Sequence, residues 1–186
     1  MDITDFNVLL IYLSCYHVQV AVNTRRGDLQ CPSRCSCAAD VAEQDFLVIS
    51  CKWSSLSVSA AEQQHPFAHF PVNITKTLNI DCDSTATETA DHYDQFSENL
   101  FTGFSNLQNL RIQRCKTHAL PRNLLHGLSN LRSVHFYQLE RLKLPDDFFT
   151  DNKRLEKLTI VECNLEALPD SLLCDSPYIQ PETSIT

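Results

Sequence analysis

Three consecutive segments of the chain share one pattern that repeats every 24 residues, over 107–130, 131–154 and 155–178. Each segment begins with a leucine, has apolar residues three and five positions later, and contains a Leu-Pro step that an apolar pair follows. These positions are Leu107, Leu131 and Leu155; Leu110, Val134 and Leu158; Ile112, Phe136 and Ile160; the steps 120–121, 144–145 and 168–169; and the pairs 124–125, 148–149 and 172–173. Since one such unit cannot bury its apolar side alone, the repeat predicts units stacked into a solenoid.

The order of residue types within each unit predicts its local structure. Alternating apolar positions indicate a short β-strand with one buried face. The proline of each Leu-Pro step cannot continue a β-ladder, so we expect the chain to turn there and the apolar pair to pack a return segment against the strand. Each unit follows L-x-x-L-x-L-x-x-(N/C)-x-L-x-x-L-P, which is the leucine-rich-repeat pattern. Gly103 and Gly127 are also 24 residues apart and share one position of the repeat.

A longer and less regular unit precedes these three, with Leu78 and Ile80 at its strand positions. Its excess length falls in the acidic segment 83–98, which contains five Asp or Glu residues and no Lys or Arg. A functional interpretation of this segment is a binding loop or a cation site, and the alternative is a solvated excursion from the solenoid. We favour the excursion, because the carboxylates lack the spacing of a calcium loop.

The N-terminus contains an apolar run over 8–22, which is shorter than the ~20 apolar residues that a membrane span needs. A secretory signal over 1–24, with Cys15 in the removed segment, is the preferred interpretation, and a buried N-terminal helix or strand is the alternative. A signal directs a chain to an oxidising compartment, where disulfides persist. We therefore expect an extracellular location, either secreted or as the ectodomain of a type I membrane protein, and glycosylation of Asn73 in its Asn-Ile-Thr sequon.

Four cysteines stand ahead of the repeats with the spacing C-P-x2-C-x-C-x13-C: Cys31, Cys35, Cys37 and Cys51. This spacing resembles the N-terminal cysteine cap of extracellular leucine-rich-repeat proteins. The resemblance implies the disulfides Cys31–Cys37 and Cys35–Cys51, which would hold a small structure over the apolar edge of the first coil. A zinc site is the alternative, since thiolates bind zinc. We disfavour zinc because of the spacing and the repeats that follow.

Two further cysteines, Cys115 and Cys163, occupy a repeat position that Leu139 holds in the middle unit. Two coils of a parallel sheet separate equivalent positions by about 10 Å. A disulfide needs Cα atoms within about 7 Å, so the two cannot bond to each other. We therefore expect both to be buried free thiols, and the sequence leaves the pairing of Cys82 and Cys174 open.

Composition excludes several classes of function. The chain has 23 Asp and Glu against 15 Lys and Arg, a net charge of −8, so it lacks the basic field that nucleic-acid binding needs. Its three glycines, Gly27, Gly103 and Gly127, lie too far apart for a phosphate-binding loop. It contains neither H-E-x-x-H nor G-x-S-x-G. We expect no enzyme activity, no cofactor, no metal site and no nucleic-acid partner.

The residues between the inward leucines are expected to face the concave side of the solenoid. They are Asn109, Arg111 and Gln113; Ser133, His135 and Tyr137; and Lys157, Thr159 and Val161. With two flanking arginines, the first two strands form a basic, partly aromatic patch. Because Arg and Tyr are favoured anchors of interfaces, the candidate ligand-binding residues are Arg111, Arg114, Arg132, His135 and Tyr137. The alternative is an ordinary solvated sheet face.

Residues 31–174 look like the start of an extracellular leucine-rich-repeat ectodomain, and more narrowly resemble the N-terminal region of invertebrate Toll-like receptors. The resemblance rests on TLNIDCD (77–83), ENLFTGFSNLQNLRIQRCKTHALP (98–121) and LEKLTIVECNLEALPDSLLC (155–174). It implies binding of a protein ligand or pathogen product, receptor dimerisation, and signalling in innate immunity or development by the full-length receptor. The second hypothesis is a secreted small leucine-rich-repeat matrix or adhesion protein, using the solenoid or the integrin-type tripeptide 26–28.

The predicted organisation has four parts: a signal peptide at 1–24, the cysteine cap and lead-in at 31–72, the repeats at 73–174, and a non-repeat tail at 175–186. The expected fold class is α/β, a right-handed leucine-rich-repeat solenoid forming a short horseshoe arc behind an N-terminal disulfide cap. We expect a truncated receptor, a fragment or a short secreted isoform, which contacts a membrane only through a C-terminal region outside this chain.

Overall fold

The computed structural model describes residues 31, 35–53, 66–67, 70–82, 94–117, 119–140 and 142–167. These residues contain eight β-strands and one short 3-10 helix, Val72–Ile74. The strands are β1 Cys35–Ala39, β2 Leu47–Lys52, β3 Thr75–Asp81, β4 Asn109–Gln113, β5 Ser133–Tyr137, β6 Leu142–Lys143, β7 Lys157–Val161 and β8 Leu165–Ala167. The signal segment, the tripeptide 26–28, residues 83–93, Cys174 and the tail lie outside the described residues.

The main sheet stacks its strands in the order β1-β2-β3-β4-β5-β7. The first two strands form an antiparallel hairpin, and β2, β3, β4, β5 and β7 run parallel. Partner residues across β4, β5 and β7 are equivalent positions of successive repeats, as with Leu110, Val134 and Leu158. The predicted repeat and its solenoid arrangement are therefore confirmed, since each 24-residue unit contributes one strand to the sheet.

The core lies on one side of the main sheet, where every second strand residue is buried. In β4 the buried residues are Leu110 and Ile112, both fully enclosed, and β5 and β7 repeat this alternation. The leading leucines of the units are buried too, as are Leu120 and Leu144 of the Leu-Pro steps. A second parallel sheet pairs β6 with β8 and so joins the coils that contain β5 and β7. The inward positions predicted from the repeat are confirmed within the described residues.

The α/β class expected from the repeat is wrong for the described part of the chain, which contains no α-helix. The return segment after Pro121 is a run of turns over 122–127, and the equivalent segment after Pro145 has turns over 146–151. Gly127 ends the first of these runs at a φ of 79°. Few residues lie between Pro121 and Gly127, so the return segment is too short for the nucleation of a stable helix.

The residue directly after each of β4, β5 and β7 lies in the left-handed backbone region. These residues are Arg114, Gln138 and Glu162, with φ of 57°, 51° and 52°. All three are exposed, and the residue that follows each one points towards the core. A non-glycine residue seldom adopts this conformation. Its recurrence at 24-residue intervals indicates that the stacked ladder imposes the turn.

A disulfide-bonded hairpin closes the N-terminal edge of the main sheet. Cys31 is bonded to Cys37 and Cys35 to Cys51, the two pairs that the resemblance implies. The second pair joins register partners of β1 and β2. Because β2 pairs with β3 in parallel, the hairpin occupies the place that another coil would take. It therefore covers the open edge of the first coil.

A buried lysine fastens the turn of this hairpin to the first coil. Lys76 of β3 is only 9% exposed, and its Nζ donates to Glu43 Oε1 at 2.9 Å and lies 3.6 Å from Asp40 Oδ1. The hydrogen bond to Glu43 is the main cause of the raised pKa of Lys76. Backbone N–H groups of Glu43 and Ala42 lower the pKa of the Asp40 carboxyl. The ion pairs therefore add a side-chain contact between the cap and the first coil, beside the pairing of β2 with β3.

An aromatic cluster joins the lead-in segment to the first long unit. Phe67 lies with its ring centroid 4.8 Å from Phe70 and 5.2 Å from Phe104, both edge-on. Gly103 stands beside this cluster at a φ of 94°, and a Cβ placed on it would lie 3.1 Å from Val72 Cγ2. The equivalent Gly127 has a similar φ, but no atom within 4 Å of such a Cβ.

We expect Gly103→Ala to destabilise the protein more than Gly127→Ala. Both changes force a side chain into the left-handed region, at a cost of about 1–2 kcal/mol. Only Gly103→Ala also pushes against Val72. The measurement is the free energy of unfolding from urea titration of the two variants and the unchanged protein. Equal losses in the two variants would show that the contact with Val72 carries no energy.

Candidate ligand-binding face

The side of the main sheet opposite the core carries three rows of side chains, which we call the open face. The rows exist because parallel register places equivalent residues of β3, β4, β5 and β7 side by side. In chain order they are Thr77, Asn109, Ser133 and Lys157; Asn79, Arg111, His135 and Thr159; and Asp81, Gln113, Tyr137 and Val161. The predicted set of outward residues is therefore found on one surface.

Arg111 and Tyr137 form the centre of the open face. The Arg111 guanidinium carbon lies 5.8 Å from the centroid of the Tyr137 ring, within the range of a cation–π contact. Arg111 is exposed and Tyr137 is half-buried. No described carboxylate forms a salt bridge with Arg111. The contact with the ring positions the guanidinium, and no described carboxylate neutralises its charge.

His135 lies beside Arg111 in the middle row. Its Nε2 is 2.9 Å from Ser133 Oγ, which orients the ring. Burial lowers the pKa of His135, and the positive charges of Lys157 and Arg111 lower it further. Lys157 is exposed at the start of β7 and, like Arg111, has no salt bridge to a described residue. These three residues form a basic cluster, which we name the Arg-His-Lys cluster.

Two of the five candidate ligand-binding residues lie off the rows and carry ion pairs. Arg114 follows β4, and its guanidinium binds both carboxylate oxygens of Asp81, with Nε at 2.8 Å from Oδ1. Arg132 precedes β5, and its Nη1 lies 3.2 Å from Glu156 Oε1. The structure therefore brings together Arg111, His135 and Tyr137, and it places Arg114 and Arg132 at opposite ends of the strands with their charges compensated.

Lys157 belongs to the predicted outward residues but not to the five candidate ligand-binding residues. The signal that could have included it is the composition of the three strands NLRIQ, SVHFY and KLTIV. They contain one arginine, one lysine and one histidine and no carboxylate, in a chain whose net charge is −8. The positive character of this region depends on the absence of acids as much as on the presence of bases.

The N-terminal side of the open face differs, since its polar groups bond to one another. Asn79 Nδ2 donates to Ser50 Oγ at 2.9 Å, and Asn109 Nδ2 donates to Thr77 Oγ1 at 3.2 Å. On the other side, the Oγ1 of Thr159 is buried and has no hydrogen-bond partner among the described residues. Thr159 is the register partner of His135. The groups that are free to bind a ligand are thus concentrated over β4, β5 and β7.

A third disulfide corrects one expectation about the cysteines. Cys115 was expected to be a free thiol, but it is bonded to Cys82, with Cα atoms 4.9 Å apart. The distance argument excluded a disulfide between Cys115 and Cys163, which lie two coils apart. Cys82 belongs to the coil adjacent to Cys115. β3 ends without a left-handed residue, so Cys82 turns inward one position earlier than Cys115 does and lies next to it.

Cys163 is the free cysteine among the described residues. It is half-buried, and this burial raises the pKa of its thiol. Its Sγ donates to Val161 O at 3.3 Å and accepts from Leu139 N at 3.4 Å. The Cys163 side chain therefore bridges two successive coils. It occupies the same position of the repeat as Cys115, which forms a disulfide instead.

The third disulfide lies at the base of the acidic segment. Asp94 returns to the sheet beside it, where Asp94 N donates to Lys116 O at 2.6 Å and Asp94 Oδ2 accepts from Lys116 N at 2.9 Å. Ligand atoms of Cys82, Asp94 and Cys115 lie within 4.8 Å of one another, a spacing that suits a metal ion. With the two sulfurs bonded to each other, however, no thiolate is left to bind a cation.

We expect the double change Cys82→Ala with Cys115→Ala to lower the free energy of unfolding by about 4 kcal/mol, because it releases a loop of 33 residues in the unfolded chain. The single change Cys163→Ala is the matched control, since it removes a sulfur from an equivalent position without breaking a disulfide. Urea titration under non-reducing conditions measures both. A loss in the double variant no larger than in the control would contradict a structural role for this disulfide.

Comparison with known proteins adds no relative, because neither a protein-family model nor a curated protein matches the chain. No helix among the described residues is long and apolar enough to cross a membrane. Asn73, the predicted glycosylation site, is exposed within the 3-10 helix. Its sequon partner Thr75 is buried and donates its hydroxyl to Pro71 O at 2.9 Å.

Proposed function

We propose that the chain is an extracellular leucine-rich-repeat binding module that recognises a protein ligand through the open face, the concave side of a short horseshoe arc. The observation that carries this proposal is the Arg111–Tyr137 stack at the centre of a regular parallel sheet, with no described acid bonded to the arginine. Arginine and tyrosine contribute disproportionately to binding at protein interfaces. Rigid strands also hold such anchors in place before the ligand arrives, which lowers the entropic cost of binding.

More narrowly, we propose that the module belongs to the N-terminal ectodomain of a Toll-like receptor. The segments that resemble this family, together with the cysteine spacing of the cap, support the proposal. Three disulfides among the described residues suit an oxidising compartment. In this proposal the ligand is a protein or pathogen product, and the full-length receptor signals in innate immunity or development.

Site-specific photo-cross-linking tests recognition through the open face. A photoreactive residue replaces Ser133 on the open face or, as the matched control, exposed Lys153 on the return side, and the disulfide-bonded chain is exposed to extracellular fluid of its source. We expect a cross-linked protein with the Ser133 probe and none with the Lys153 probe. Adding Arg111→Glu should reduce the yield at least tenfold, as for an interface hot spot.

Arg132→Gln is the control for loss of an arginine elsewhere on these coils, since Arg132 already has Glu156 as its partner. We expect it to leave the cross-linking yield unchanged. Cross-linking only at Lys153, or an equal loss with Arg111→Glu and Arg132→Gln, would contradict recognition by the open face.

Sequencing the transcript beyond codon 186 separates the receptor from the secreted matrix or adhesion protein. A reading frame that continues into a membrane span and a cytoplasmic domain supports the receptor. A stop codon after Thr186, with abundant secreted protein, supports the alternative.

We expect one N-linked glycan at Asn73 when the chain is made in a eukaryotic secretory pathway. Endoglycosidase treatment should increase the gel mobility of the unchanged protein and leave that of Asn73→Gln unaltered. Asn73→Gln is preferable to a change at Thr75, because Thr75 is buried, whereas Asn73 is exposed and its hydrogen bond from Asn106 Nδ2 at 2.7 Å goes to the backbone oxygen. Identical mobility of treated and untreated protein would show that the sequon is not used.

A further inference from the structure

Four described cations are compensated by carboxylates, whereas the two on the open face are not. Lys76, Arg114, Arg122 and Arg132 each form a salt bridge with a carboxylate. Arg111 and Lys157 form none with a described residue, although the chain carries more acids than bases. Other described cations also lack a salt bridge, but Arg111 and Lys157 lie together on the open face, on strands whose register places His135 between them.

A single neighbouring carboxylate on the open face would be enough to neutralise either charge. A carboxylate at Asn109, Gln113 or Ser133 would sit beside Arg111 or Lys157 and neutralise it, as Asp81 does for Arg114. These three positions carry amides or a hydroxyl instead. The cluster therefore offers a ready binding site for carboxylates supplied by another molecule.

We infer that the ligand of the open face presents an acidic peptide segment, whose carboxylates bind Arg111 and Lys157 and, at acidic pH, a protonated His135. This inference rests on the function proposed above and specifies the chemistry of its partner. The Tyr137 ring adds an apolar platform beside the arginine, which suits a peptide side chain next to the acidic group. Asn109 and Gln113 flank Arg111 on β4, and their amides donate to Thr77 and Asp81.

A peptide fits the open face better than a sulfated polysaccharide or a nucleic acid does. Polyanions of those kinds need an extended basic surface, because their affinity comes from many phosphate or sulfate contacts. Here the cations form one compact cluster, and the chain as a whole is acidic at −8. Long-range repulsion therefore disfavours a long polyanion and tolerates a short acidic segment.

His135 gives this site a dependence on pH. The groups that surround it are Arg111, Asn109 and Gln113 on β4; Ser133 and Tyr137 on β5; and Thr159, Lys157 and Val161 on β7. None of these is a carboxylate, and burial with the two cations lowers the pKa of the imidazole. A bound carboxylate opposes the effect of the cations and favours the protonated ring. By linkage, protonation of His135 then strengthens binding of the acidic ligand.

The test uses fluorescence anisotropy with a short glutamate-rich peptide as the probe and a glutamine-rich peptide of equal length as its control. We expect binding of the glutamate peptide only. Binding should be about fivefold tighter at about pH 5.5 than at about pH 7.5, the effect of one added ion pair. The glutamates stay ionised over this range, since their pKa is about 4.3.

Four variants assign the effect to individual residues. Arg111→Gln and Lys157→Gln should each weaken binding about fivefold at both pH values. His135→Gln should lose the gain on acidification, so that its affinities at the two pH values agree, and an unchanged circular dichroism spectrum shows that the variant is folded. His126→Gln is its matched control, because His126 pairs with Asp151 on the return side and should keep the gain.

Several results would overturn the inference: equal binding of the two peptides, binding of heparin without binding of the glutamate peptide, or a gain at low pH that persists in His135→Gln. Failure of this inference is distinguishable from failure of the proposed function. If Arg111-dependent cross-linking at the open face occurs while the glutamate peptide does not bind, the face recognises a protein through other chemistry.

Discussion

Parallel pairing of equivalent strands, one repeat apart, is the constraint on which the rest of the structure depends. Main-chain hydrogen bonds hold β3, β4, β5 and β7 at one common spacing and in one register. The register buries the repeated apolar residues behind the sheet and, because side chains alternate, aligns the intervening residues in rows in front of it. The core and the binding face are thus two consequences of one ladder.

The same ladder explains features that look local. Residues with positive φ recur directly after β4, β5 and β7 because these coils turn at the same level of the stack. The disulfide between Cys82 and Cys115 forms because adjacent coils bring inward residues within bonding distance. The hairpin cap fits because β2 accepts parallel pairing with β3. Each feature depends on the spacing of the coils and not on its immediate sequence neighbours.

Charge compensation divides the surface into structural and available groups. Arg114 and Arg132 pair with acids on neighbouring strands or turns and contribute to the joints between coils. Arg111 is held by an aromatic ring, which positions its charge without neutralising it. Exposed ion pairs are individually weak, so the paired residues matter chiefly because their charges are no longer available. The distinction favours recognition at the centre of the sheet over its edges.

The sequence by itself determined the repeat period, the inward positions such as Leu110 and Ile112, and the set of outward residues, because a two-residue alternation within a fixed period assigns side chains to faces. Tertiary structure alone decided three further points. The return segments proved to be turns in the described part, since they are too short for a helix. Cys115 is bonded to Cys82 because Cys82 turns inward one residue earlier than its repeat equivalent. The turn after the strand sets this offset, and the spacing of the cysteines does not reveal it. Which arginines of the open face and its edges keep an uncompensated charge depends on the acids of the neighbouring coils. These contacts join residues more than 20 positions apart, so only the stacking of the coils reveals them.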